Sequence, residues 1–173
     1  MPLFIAIEMR QIFTFLVLFS SALIWAQSNS VVIIGKTNVN TFTCTNDNFG
    51  NTGLISNPTT KRLPNLNLKV ENFDCRNRIM TNDFRKTLNA DRYPNLQVRF
   101  LKFNQISSDY YKGVVEVTIM NKKKNYEITF FADGPKLVGN RKVKFSDFGI
   151  VPPKRMAGTI VVKDELDLRF SLR

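Results

Sequence analysis

From Leu96 to Leu172 apolar and polar residues alternate at a period of two, and that pattern commits most of the chain to half-buried β-strands. Val98 and Phe100 alternate with Gln97 and Arg99, after which Leu101 and Phe103 bracket Lys102. This change of phase at Phe100-Leu101 predicts a β-bulge. Val115, Val117 and Ile119 alternate with Glu116 and Thr118, and Tyr126, Ile128 and Phe130 with Glu127 and Thr129. The polar residues 121–125 between these runs, with Lys122, Lys123 and Lys124 at their centre, predict a hairpin turn. Asp133-Gly134-Pro135 predicts another, followed by strands over residues 137–145 and 159–172. Earlier strands are predicted at residues 30–36, a β-branched run, and at residues 66–70, where Leu66, Leu68 and Val70 alternate. Residues 45–60 are rich in Asn, Gly and Thr and read as a turn or exposed hairpin.

One segment departs from period two. Over residues 79–89, Met80, Phe84 and Leu88 recur every fourth position and share one helical face. Thr81 is the expected N-cap, Asp83 suits the first turn, Arg85-Lys86 suit the C-terminal end, and Pro94 stops the helix. About eight strands, one short helix and no βαβ unit define an all-β antiparallel class. Eight such strands close into a barrel wide enough for one small ligand. A two-sheet sandwich carries the same alternation.

Residues 12–25 are almost uninterruptedly apolar, preceded by Arg10 and followed by Ala26-Gln27. That is the layout of a secretory signal peptide over residues 1–26, leaving one domain over residues 27–173. The run is shorter than the roughly twenty residues of a membrane span, and a retained anchor is the alternative. The expected destination is the periplasm or the extracellular space. Cys44 and Cys75 are an even pair in such an oxidising compartment and are expected to bond, two free thiols being the alternative. The formal charge is +11. Export argues against nucleic acid as the partner, so an anionic membrane surface or envelope polymer is the expected target, or the charge provides solubility alone.

Histidine is absent, which removes the commonest general base and most zinc sites. The two cysteines form no CxxC motif. Asp164, Glu165 and Asp167 could suggest paired catalytic carboxylates, but Glu165 and Asp167 fall on the polar face of an alternating strand. No enzyme activity and no cofactor are expected. The candidate ligand-lining residues are the apolar face of the strands: Phe100, Phe103, Val115, Val117, Ile119, Ile128, Phe130, Phe145, Leu168 and Phe170. A filled core uses the same residues. Lys122-Lys123-Lys124 could dock on an anionic surface or form a solvated hairpin tip.

Several motifs resemble the YceI-like family of secreted, lipocalin-like lipid- and polyisoprenoid-binding proteins. They are Ser146-Asp147-Phe148-Gly149-Ile150, Pro152-Pro153, Met156-Ala157-Gly158 and the closing strand with Leu166, Leu168, Phe170 and Leu172. The stretch from Met80 through Phe84, Tyr93-Pro94 and Val98 to Phe100, and the segment from Gly35 to Phe42, resemble the family less densely. The chain departs from it at residues 120–125, where many relatives carry a different hairpin. The resemblance implies an eight-stranded lipocalin-like barrel with its helix near one end, holding an isoprenoid, fatty acid or fatty amide, and acting as a monomer or homodimer. A secreted adhesion module with a filled core and a basic binding surface is the competing expectation.

Overall fold

The computed structural model describes residues 29–50 and 63–173, so the expected signal peptide lies outside the described residues. The strands are β1 (Ser30–Thr37), β2 (Thr41–Asn46), β3 (Asn65–Lys69), β4 (Asn95–Gln105), β5 (Tyr110–Ile119), β6 (Lys122–Asp133), β7 (Lys136–Lys144), β8 (Lys154–Arg155) and β9 (Ile160–Leu172). One helix, α1 (Arg78–Thr87), separates β3 from β4. The antiparallel sheet runs β2-β1-β9-β7-β6-β5-β4-β3, and the two-residue β8 pairs with the start of β9. The all-β antiparallel class expected from the alternation, and the curled lipocalin-like barrel that the family resemblance implies, are what is observed.

The sheet curls until its two edges meet. Thr45 and Asp74 exchange backbone hydrogen bonds of 2.9 Å each way, and the Asn46 amide donates to the Lys69 carbonyl at 3.0 Å. Cys44 and Cys75 are joined by a disulfide at the same seam. The barrel is therefore closed by a single bridge and a covalent staple, with no continuous ladder between β2 and β3.

The bulge falls where the phase change puts it, since the β4–β5 register shifts between Phe100 and Lys102. The next hairpin is tighter than expected. Ile119 pairs with Lys122, leaving Met120 and Asn121 as a two-residue turn, both at positive φ as a type I′ turn requires. Lys122, Lys123 and Lys124 thus belong to β6 rather than to a turn. Gly134 (φ 55) and Pro135 link β6 to β7. Phe145 leaves β7 for a 3₁₀ turn, Phe145–Phe148, and the unpredicted β2 takes up residues read as the approach to a loop.

The inward positions form one core. Phe130 is fully buried, its ring 5.7, 5.8 and 6.0 Å from those of Phe100, Phe103 and Phe170. Room for that ring comes from Gly113 on β5 and Gly139 on β7. A Cβ on Gly139 would stand 2.6 Å from the Phe130 ring, and one on Gly113 3.0 Å away. These rings pack the half of the barrel near the β4–β5 and β6–β7 loops.

Candidate functional site

The opposite end of the barrel, where β1 and β7 finish and β9 starts, is covered by α1. The N-cap is Asn77, whose side chain accepts from the Ile79 and Met80 amides at 3.0 Å each, and not Thr81 as the sequence suggests. Thr81 is instead buried inside the helix and accepts from the Cys75 amide at 3.0 Å. Met80 and Phe84 face the barrel. Phe84 packs 5.3 Å from the ring of Phe73, just before the disulfide.

Between α1 and the barrel mouth lies a cavity of about 60 Å³. Met80, Phe84 and Thr87 form its roof; Thr37, Phe42, Phe145, Ile160 and Val162 form its floor and walls; Pro153, Arg155 and Asp83 border it on the β8 side. Its polar groups are already engaged. The Thr37 hydroxyl bonds with Asn40, and the Thr87 hydroxyl donates to the Asp83 carbonyl at 2.8 Å. Arg155 Nε meets Asp83 Oδ2 at 2.7 Å and ties the β8 loop to the helix. Both side chains stay partly in water, so the pair is a weak latch. The tip of the Phe42 ring lies over Gly35, its cross-strand partner, where a Cβ would fall 2.2 Å from Cζ. Gly35 is therefore what lets Phe42 reach the cavity.

Phe145 is held in place by a polar cluster beside it. Tyr126 donates from its hydroxyl to Asp147 Oδ2 at 2.8 Å, the Lys144 amide donates to the same oxygen at 3.3 Å, and Lys124 Nζ lies 3.5 Å from Oδ1. The hydrogen bond from Tyr126, with Lys124 adding to it, holds the Asp147 carboxyl below the usual carboxylate range. Burial, then the Asp147 hydrogen bond, pushes the Tyr126 phenol well above its ordinary value. Asp147 thus braces the turn, and Asp164 adds a second brace by accepting from the Ser146 amide and hydroxyl at 2.9 and 2.6 Å.

All ten residues named as candidate lining are buried inside the barrel. Phe145 alone of them borders the cavity. Phe100, Phe103, Phe130 and Phe170 belong to the aromatic cluster in the other half; Val115, Val117, Ile119, Ile128 and Leu168 are core residues of the wall. Alternation missed Thr37, Phe42, Ile160 and Val162 because they sit at strand ends, where a period of two is too short to read. Met80 and Phe84 were legible as a helical face, but what that face covers was not. Among the described residues, no group of three acidic or Cys side chains could hold a metal ion, and no helix is long and apolar enough to cross a membrane.

A YceI-like domain matches residues 26–173. The chain belongs to the YceI-like family. Its fold resembles that of Burkholderia cenocepacia BcnA, with a TM-score of 0.63 at 16% identity over 83% of this chain and 94% of that one. The Campylobacter jejuni YceI protein gives a TM-score of 0.51 at 19% identity over 62% of this chain and 68% of that one. No curated protein matches the sequence. YceI-like proteins are β-barrel binding proteins associated with hydrophobic ligands. In this YceI-like chain the cavity beneath α1 has a mostly apolar wall, bordered by the Asp83–Arg155 pair.

Proposed function

We propose that this YceI-like chain is a non-enzymatic carrier for a long-chain apolar ligand, a polyisoprenoid, fatty acid or fatty amide, working in the periplasm or outside the cell. The observation that carries the reading is the apolar cavity between α1 and the barrel mouth, bordered by a single ion pair. Each buried methylene contributes about 0.8 kcal/mol, so about ten supply roughly 8 kcal/mol before the costs of ordering. No charged anchor is needed for that.

A cavity of about 60 Å³ has room for a few water molecules and not for a long chain. A long chain therefore enters by lifting α1. The helix is tethered at its start by the Cys44–Cys75 disulfide and latched near its middle by Asp83–Arg155, which makes Cys75–Asn77 the natural hinge. Loading then extends along the interior towards Phe145 and the central wall residues, Ile119, Val117 and Leu168.

Native mass spectrometry of the exported protein, followed by organic extraction, tests the reading. A prenyl or acyl lipid is expected, and Met80→Trp, which fills the cavity, is expected to reduce its occupancy while the fold persists. A protein that stays lipid-free after incubation with isoprenoid quinones and fatty acids would overturn it. The packed aromatic half favours one competing reading, a filled barrel that binds an anionic polymer through its basic surface. Such binding would weaken steeply with salt, whereas interior binding would not.

A further inference from the structure

Three apolar side chains on loops stand out in water around the mouth of the α1-covered end, besides Ile79 on α1, which is 74% exposed. Val39, Val151 and Met156 are 64, 84 and 72% exposed. Their loops are fastened together. Asn38 donates through Nδ2 to the Thr159 carbonyl at 2.8 Å and accepts from the Val161 amide at 3.0 Å, which places the β1–β2 turn against the turn that carries Met156. Val151 leads through Pro152 into Pro153, which borders the cavity and whose carbonyl accepts from the Val162 amide at 3.2 Å.

The Met156 turn is built at a conformational cost. Met156, Ala157 and Gly158 follow one another at φ 51, 53 and 93. The left-handed region is unfavourable for Met and Ala, and an outlier of this kind is a reason to look for a role. Here it holds a thioether outward, beside Arg155 and largely exposed among the described residues.

The same end is basic. By strand register Lys36, Lys122, Lys144, Lys154 and Lys163 all lie there, and all five are exposed, while Arg155 is paired with Asp83. Most of the acids nearby are engaged within the fold, Asp83 with Arg155, Asp147 with Tyr126 and Lys124, Asp164 with Ser146 and Glu165 with Lys142, while Asp91 after α1 is exposed. Loops at the opposite end carry the exposed Asp47, Asp109 and Asp133. Exposed apolar tips set in a cationic field match a bilayer with anionic head groups, which takes the tips into its interface and attracts the lysines.

We propose that the α1-covered end is a membrane-docking surface, which seats the cavity mouth on an anionic bilayer with Val39, Val151 and Met156 inserted. Its purpose rests on the carrier reading above, since a ligand could then pass between bilayer and barrel without crossing water. The docking itself does not depend on that reading.

The test is co-sedimentation of the exported protein with phosphatidylcholine vesicles, with and without phosphatidylglycerol. The wild-type chain is compared with Val39→Ser/Val151→Ser/Met156→Ser, whose three sites are exposed and outside the cavity. Binding to the anionic vesicles is expected, weaker at high salt, and lowered at least about tenfold by the triple substitution. Co-purified lipid, read separately by native mass spectrometry, is expected to be the same in both proteins, so loss of docking and absence of a ligand are distinct results. Equal vesicle binding by the variant would overturn the proposal. So would equal binding to the neutral vesicles, or a dimer that the variant loses with no vesicle binding by either protein.

Discussion

Gly139→Ala adds a single methyl group at the point where the barrel is packed hardest. The new Cβ would stand 2.6 and 2.8 Å from two carbons of the Phe130 ring and 3.1 Å from Ile128 Cγ2, against 3.4 Å or more for ordinary contact. The ring cannot give way easily. It is fully buried, bordered by Phe100, Phe103 and Phe170, and backed by Gly113, where a Cβ would already stand at 3.0 Å. Overpacking of this size costs about 1–3 kcal/mol. Loss of glycine's freedom in the unfolded chain offsets about 0.4–1 kcal/mol. The expected net loss is about 1–2 kcal/mol, or roughly 2–8 °C in Tm for a domain of this length. Gly50→Ala supplies the contrast, because a Cβ there meets nothing within 4 Å. It should leave stability unchanged or raise it by up to about 1 kcal/mol. Equilibrium urea unfolding under oxidising conditions reads both. In a Phe130→Leu background the cost of Gly139→Ala should shrink by about 1 kcal/mol, since the obstructing ring edge is gone. If Gly139→Ala is as stable as wild type, the reasoning that Phe130 occupies the space of a missing side chain is wrong.

Replacing both cysteines by serine should lower stability by about 3–4 kcal/mol in the same assay, as expected for a staple spanning 31 residues, and reduction of the native protein should do the same. Asp147→Asn should destabilise the protein at neutral pH and flatten its acid unfolding. The folded-state pKa of Asp147 lies below the unfolded value, so its contribution is complete above about pH 4 and is lost as pH falls through the folded value. Tyr126→Phe should shift acid unfolding in the same sense, because it removes the main cause of the depression; pH-dependent thermal melts follow both.

Long strands announced themselves through side chains on one face. β4, β5, β6 and β9 were legible because each has several inward apolar residues in phase, and even the bulge showed as a slip in that phase. β2 was not, because its inward positions are Phe42, Cys44 and Asn46, which form no recognisable apolar row, and the buried Asn46 is satisfied by the Lys69 carbonyl and the Asn48 amide. Three consecutive lysines disguised the start of β6. They need no burial there, since Lys123 and Lys124 find Glu116 and Asp147 across the surface. The helix was visible but its cap was not, because Asn77 and Thr81 are both capable residues and only the path after Cys75 decides between them. The cavity was least legible. Its walls come from α1, the β1–β2 pair, the turn after β7, the β8 loop and the start of β9, and no local pattern relates those five segments.

The strand order also sets when this molecule can finish folding. β3 to β7 are neighbours in both sequence and space and can assemble as they emerge, and β1 with β2 forms its own hairpin. β9 lies between β1 and β7, with Ile33 opposite Leu168 and Val143 opposite Leu166, so the first strand has no place in the sheet until the last has arrived. Two subassemblies must therefore wait for the C-terminal strand with edges unpaired, and this long-range step is the slow, aggregation-exposed one. A chain handed across a membrane before folding would carry that vulnerability to the far side, where the disulfide can hold the two subassemblies together until Leu172 is in place.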